Sequence, residues 1–206
     1  PVPGKMQVSY SADFNAELPD LSSYNLMTAE EKLRWEKLTN STLSTSTDAW
    51  RVEERYAART ADVARGVNTY WLHEPVQTGL GQRHSIQFNG GNSDLVFNAG
   101  ATYTKKEGAM KGSSRENWGG NLVISYRKGR LNITENLMLR GSKGIESPYG
   151  NFATFAAANP YYRKTDENGF INRQLDPVYD TSEINPLYNA SLYSINQNKG
   201  FGFTNN

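Results

Sequence analysis

The sequence predicts an all-β chain: an antiparallel meander forming part of a large transmembrane β-barrel, with short helices in its loops. Three observations predict it. Apolar residues recur at every second position in several separate stretches, the signature of strands with one apolar and one polar face. The connections between those stretches alternate in length, so that tight turns share one end of a meander and longer loops the other, as in an outer-membrane barrel. The polar faces carry Ser, Asn, Gln, Thr and Gly rather than the Lys and Glu usual on a soluble sheet.

The first strand is expected at 5–18. Met6, Val8, Tyr10, Ala12, Phe14, Ala16 and Leu18 alternate there with Gln7, Ser9, Ser11, Asp13, Asn15 and Glu17. A polar connection, 19–27, follows. TAEE at 28–31 is a capping box, with Thr28 and Glu31 able to satisfy each other's backbone N–H groups. It predicts a helix over 28–39 whose apolar stripe is Leu33 and Leu38 beside Trp35. NSTLSTST is a Ser/Thr-rich break. Asp48 is a good N-cap for a second helix over 49–65, stopped by Gly66. Its Arg and Glu content predicts a solvated surface helix. Residues 67–82 read as irregular.

Strands are then expected at 83–90, 95–106, 117–127 and 130–141. His84, Ile86 and Phe88 share a face in the first. Leu95, Phe97, Ala99, Ala101 and Tyr103 share one in the second, and Trp118, Leu122, Ile124 and Tyr126 in the third. In the fourth, Leu131, Ile133, Leu137 and Leu139 do so, with Glu135 interrupting them. GGNSD (90–94) and RKGR (127–130) are tight turns by composition. A segment rich in Asn, Pro, Tyr and Gly runs from 143 to 200, and a sixth strand starts near 201–206. Both ends read as cut, as in a piece of a longer protein.

Composition bounds the function. The chain has 206 residues, enough for a sizeable core, and a net charge of +1, which implies no charge-driven partner such as nucleic acid. Cysteine is absent, which removes disulfide frameworks and zinc–thiolate sites. No run of about 18 apolar residues and no signal peptide occur. His73 and His84, the two histidines, lack ligand spacing, so no metal site is expected. Asp166, Glu167 and Asn168 before Gly169 fit a turn better than a calcium loop, whose full pattern is missing. NGGNSD lacks the Gly-Lys-Ser/Thr of a phosphate loop. Glu135, Glu146 and Asp166 offer no distinguished carboxylate pair. No catalytic constellation stands out, so no enzyme and no cofactor are expected.

Aromatic residues near strand ends, Tyr10, Phe14, Phe88, Tyr103, Trp118 and Tyr126, fit an interfacial girdle. Core aromatics of a soluble β-rich binding or structural module give the same pattern, and the residues alone leave that alternative open. Gln7, Ser9, Asp13, Asn98 and Asn121 would line a wet lumen, as contacts for a passing substrate or as a hydrated wall. Tyr149, Phe152, Phe155, Tyr161 and Tyr162 form an aromatic-rich loop. Tyr149, Phe152, Tyr161 and Tyr162 are candidates for substrate or partner contact, unless they pack the loop's own core.

Longer motifs sharpen this. WLHEPVQTG (71–79), the Gly90-Gly91 hairpin, GAMKGSSR (108–115) and SPYGNF…NPYYRKTDENG (147–169) resemble the early barrel of SusC/RagA-type TonB-dependent transporters of Bacteroidetes. The loop helix LMTAEEKL fits the same resemblance, which spans nearly the whole chain. His73 stands where that family often has an acidic residue. The resemblance implies a barrel of about 22 strands in the outer membrane, importing oligosaccharides or peptides under TonB drive. It implies a SusD-like surface lipoprotein as partner and a plug domain outside this sequence.

Overall fold

A computed structural model describes residues 4–41, 48–192 and 196–205. Most of the Ser/Thr-rich break, 42–47, and the last residue of the expected sixth strand lie outside the described residues. The chain divides into two compact units.

The first unit, 1–18, 77–147 and 195–206, is a single sheet. Its strands are β1 (Gly4–Glu17), β2 (Gly79–Gly91), β3 (Leu95–Glu107), β4 (Ser114–Lys128), β5 (Leu131–Glu146) and β8 (Asn196–Asn205). They lie in the order β1-β2-β3-β4-β5-β8, every neighbour antiparallel, with β1 and β8 as the two edges. Residues 92–94 and 129–130 make the tight turns at one end. In the first, the Asn92 side chain accepts from the backbone N–H of Asp94 and Leu95 at 2.9 and 2.8 Å.

Directly paired residues of antiparallel strands share a face, so the register sorts the side chains. One row reads Val8, Phe88, Ala99, Leu122 and Leu137. The next reads Tyr10, Ile86, Ala101, Gly120, Leu139 and Phe203. An aromatic row follows: Ala12, His84, Tyr103, Trp118, Gly141 and Phe201. Beyond it the same face turns charged, with Phe14, Gln82, Lys105, Glu116, Lys143 and Lys199. Towards the tight turns the face ends on Leu95, Tyr126 and Ile133. Glu135 sits on this face, opposite Ile124, and the pairing of β4 with β5 runs unbroken past it.

The strands are longer than the apolar alternation marks, and mostly at the loop end. β2 takes in 79–82 of the stretch read as irregular, and β5 continues through GSKGIE to 146. Alternation fades there because the charged row has replaced the apolar one, while the backbone ladder continues.

Trp118 lies across Gly141 and meets Phe201 at a ring distance of 5.9 Å. A Cβ at 141 would fall 2.2 Å from the Trp118 ring, whereas one at Gly202 would meet nothing within 4 Å. Gly141→Ala is therefore expected to displace the indole and cost about 1–3 kcal/mol. Gly202→Ala should be near neutral, and denaturant titration of the two variants checks the difference.

The second unit, 19–76 and 148–194, joins two distant stretches of chain around one core. It holds α1 (Ala29–Thr39), α2 (Ala49–Ala64), a 3-10 turn at Trp71–His73, α3 (Phe152–Ala157), the hairpin β6 (Gln174–Asp176) and β7 (Asp180–Ile184), and α4 (Tyr188–Ser191). α1 has both hydrogen bonds of the capping box, and Asn40 ends it at φ 52°. Asp48 occupies the N-cap of α2 but makes no side-chain capping bond, and Gly66, at φ 95°, follows the helix end. Ala29, Leu33, Trp71, Leu72, Phe155, Tyr161, Tyr162 and Leu187 form the buried cluster.

Two helix expectations need correction. Leu38 is 76 % and Trp35 43 % exposed, so the buried side of α1 is Ala29, Leu33 and Glu36. α2 is not simply solvated, since Val52, Arg55 and Arg59 are its buried residues. An arginine can be buried where carboxylates and hydroxyls satisfy it, and here they come from residues far along the chain.

Candidate functional site

The residues expected to line a lumen fall on one face of the sheet. Gln7 pairs with Asn89, Ser9 with Gln87, Asp13 with Arg83, Asn98 with Asn89, and Asn121 with Gly100, all opposite the apolar rows. Asn121 Nδ2 donates to Asn98 Oδ1 at 3.1 Å, and Asn98 Nδ2 donates in turn to Asn89 Oδ1. Three strands are thus tied by an amide ladder. Glycines on this face let side chains lie flat: Asn121 occupies the space over Gly100, and Asn15 that over Gly81. Charges at the loop end are paired, with Lys106 Nζ 2.6 Å from Glu17 Oε2 and Arg115 Nη2 2.8 Å from Glu146 Oε1.

Sequence reasoning missed one feature of this face. Arg140 lies between Gly119 and Gly202 in the register, in a depression also lined by Thr102, Asn117 and Ser142. Nothing local marks Arg140 in the sequence, because the glycines that clear space around it sit on β4 and β8.

The aromatic-rich loop belongs to the second unit. Tyr161 and Tyr162 are buried at 2 % and 6 % exposure, and Phe155 is fully buried. Tyr149 and Phe152 are half-buried and pack against that cluster. The tyrosine hydroxyls meet a charged group the sequence does not announce. Arg59 Nη1 donates to Tyr161 Oη at 3.1 Å, and Nη2 donates to Asp176 Oδ2 at 3.1 Å and also to Tyr162 Oη. Tyr161 Oη donates to Glu36 Oε1 at 2.9 Å, and Glu36 Oε2 lies 3.6 Å from Arg59 Nη1. Arg59 also stacks on both tyrosine rings, at 4.5 and 5.1 Å. Burial pushes both tyrosine hydroxyls above their ordinary range, against the pull of Arg59. They are held as neutral donors and acceptors.

Other candidates resolve into local structure. Asp166 accepts backbone N–H groups from Asn168 and Phe170, each at 2.9 Å, and the Gly169 N–H donates to the Asp166 carbonyl, closing a turn. His84 sits in the aromatic row, 2.7 Å from Tyr10 Oη through Nδ1. Among the described residues no three His, Asp or Glu side chains are grouped to hold a metal ion.

A sheet with one apolar and one polar face, its tight turns gathered at one end, defines a stretch of β-barrel wall, open in these residues. The particular likeness is to the RagAB peptide transporter. One solved structure of it superposes with a TM-score of 0.66 at 15% identity, covering 98% of this chain and 26% of that one. A second, of the RagAB peptide importer in an open-open state, gives 0.63 at 16% identity, covering 99% and 26%. The chain thus spans about a quarter of the length of those proteins. No family model matches the sequence, and neither does any curated protein.

Proposed function

We propose that this chain is a wall segment and loop unit of a TonB-dependent outer-membrane transporter that imports oligosaccharides or peptides with a SusD-like surface lipoprotein. One observation carries the reading: the height of the apolar face. From the Leu95, Tyr126 row to the Lys105, Glu116 row is about ten residues. At ~3.3 Å per residue and a tilt of ~40°, that is about 25 Å, the height of a barrel's lipid-facing band. The aromatic row lies just inside its loop end, where an interfacial girdle belongs. The opposite face, rich in amides, hydroxyls and glycine, suits a hydrated lumen.

In this reading the chain performs no covalent chemistry. Its sheet separates lipid from water. Its loop unit is a preformed body for contact with partner or cargo, with Tyr149 and Phe152 near its surface and Tyr161 and Tyr162 fixing it from within. The likeness to a peptide transporter supports a peptide cargo, and the lightly charged lumen face suits a glycan equally.

These 206 residues contain no cysteine, so thiols can be introduced into them one at a time, in a transporter freed of any cysteine elsewhere. Single cysteines at 87 and 121 should react with a water-soluble maleimide in membrane vesicles. Those at 122 and 137 should be protected until detergent is added. Equal labelling of both pairs would sink the reading.

A further inference from the structure

The charged row beyond the girdle contains an unbalanced pair. Lys143 of β5 and Lys199 of β8 are direct cross-strand partners. Like charges so placed repel at roughly 5 Å between Cβ atoms and weaken the strand pairing. Lys105, in the same row, is 3.8 Å from Glu107. Glu116 lies across from Lys143 in the register. Neither Lys143 nor Lys199 has an ion pair or side-chain hydrogen bond among the described residues. The pair also stands on the apolar side of the wall, two residues beyond Trp118, Gly141 and Phe201.

We propose that Lys143 and Lys199 bind the phosphate of a phosphorylated lipid headgroup in the outward-facing leaflet, a site that rests on the outer-membrane reading. The position favours a lipid over any other anion. Two residues along a strand is about 6–7 Å, so the row sits at headgroup depth once the aromatic row sits at the interface. The four-carbon stems can run over the Trp118 and Phe201 rings while the ammonium groups reach the polar layer. Two lysines directly opposite each other across the strands can turn several N–H donors to one phosphate and relieve their mutual repulsion on binding it. An acidic peptide or a polar cargo molecule would pass on the other face.

The test uses the complete transporter chain carrying these residues, reconstituted in nanodiscs of neutral phosphatidylcholine. The probes are lipid A with its phosphates and lipid A stripped of them, with retention read by native mass spectrometry. The intact chain is expected to retain the phosphorylated form about tenfold better or more, on the scale of two lysines each meeting anionic headgroup charge. The preference should shrink as salt rises. Lys143→Gln with Lys199→Gln should abolish it and leave retention of the stripped lipid unchanged. Arg127→Gln, at the tight-turn end of the polar face, should keep it. Equal retention of the two lipids by the intact chain, or an undiminished preference in the double variant, overturns the proposal. A chain that never incorporates into the bilayer overturns the barrel reading itself, which separates the two failures.

Discussion

In urea titrations, Arg59→Met is expected to unfold the loop unit well before the sheet, with a loss of about 3–5 kcal/mol. Arg59 is 8 % exposed, and its guanidinium faces Glu36 and Asp176, themselves 6 % and 7 % exposed. Methionine fills much of the volume but leaves Asp176 buried without its cation and Glu36 with only Lys32, 3.7 Å away. The two carboxylates come from α1 and from the β6–β7 hairpin, so the loss removes one buried polar link between the 19–76 and 148–194 stretches, whose shared apolar cluster remains. A triple variant, Arg59→Met with Glu36→Gln and Asp176→Asn, should recover part of the loss, because the uncompensated charge rather than the missing hydrogen bonds dominates it. Full destabilisation in the triple variant would refute that assignment.

The same cluster fixes the alkaline behaviour. Burial raises the hydroxyls of Tyr161 and Tyr162 in the folded state, while in the unfolded chain they titrate near pH 10. A group whose folded pKa is raised contributes stability that is complete below the unfolded value and is lost as pH climbs above it. The loop unit should therefore weaken steadily above about pH 10. Its two core tyrosines should ionise, by absorbance near 295 nm, only as it unfolds.

What was legible in the sequence follows from the range of each interaction. Alternation is a local property, so the strand faces could be read from β1 to β5. Glu135 looked like a break in register only because a charge on an apolar face offends a one-strand pattern. The ladder, held by fifteen cross-strand pairs between β4 and β5, is indifferent to one side chain. The capping box on α1 was legible for the same local reason. The buried arginine was not. In α2, Arg55 and Arg59 resemble their exposed neighbours, and only partners outside the helix, most of them some 100 residues away, mark them as interior. The motifs that suggested a transporter family are explained in turn: Trp71, Leu72, Pro75, Tyr161 and Tyr162 are buried residues of the loop unit. They identify a fold because they build its core. Arg140 stayed invisible because its surroundings are made by glycines on other strands.

Leu122→Arg is expected to have the largest effect on the sheet, and its pattern with depth separates lipid from protein core. Leu122 lies in the middle row of the apolar face, flanked by Ala99 and Leu137. An arginine facing the bilayer midplane costs about 2–4 kcal/mol, falling to about 0–1 near the interface, where its head can reach water and phosphate. Tyr126→Arg, on the same strand but in the row beside the tight turns, should thus be nearly neutral. Gln87→Arg, on the polar face and already exposed, should cost little at any depth. A soluble core would behave differently. There, burial under a second layer sets the cost, and Tyr126 opposite Ile133 would be as intolerant as Leu122. Denaturant titrations of the three variants folded into lipid vesicles decide the matter. A graded series, with Leu122→Arg far below Tyr126→Arg and Gln87→Arg, is the signature of a bilayer. Equal losses at 122 and 126 would mean that protein, not lipid, covers this face.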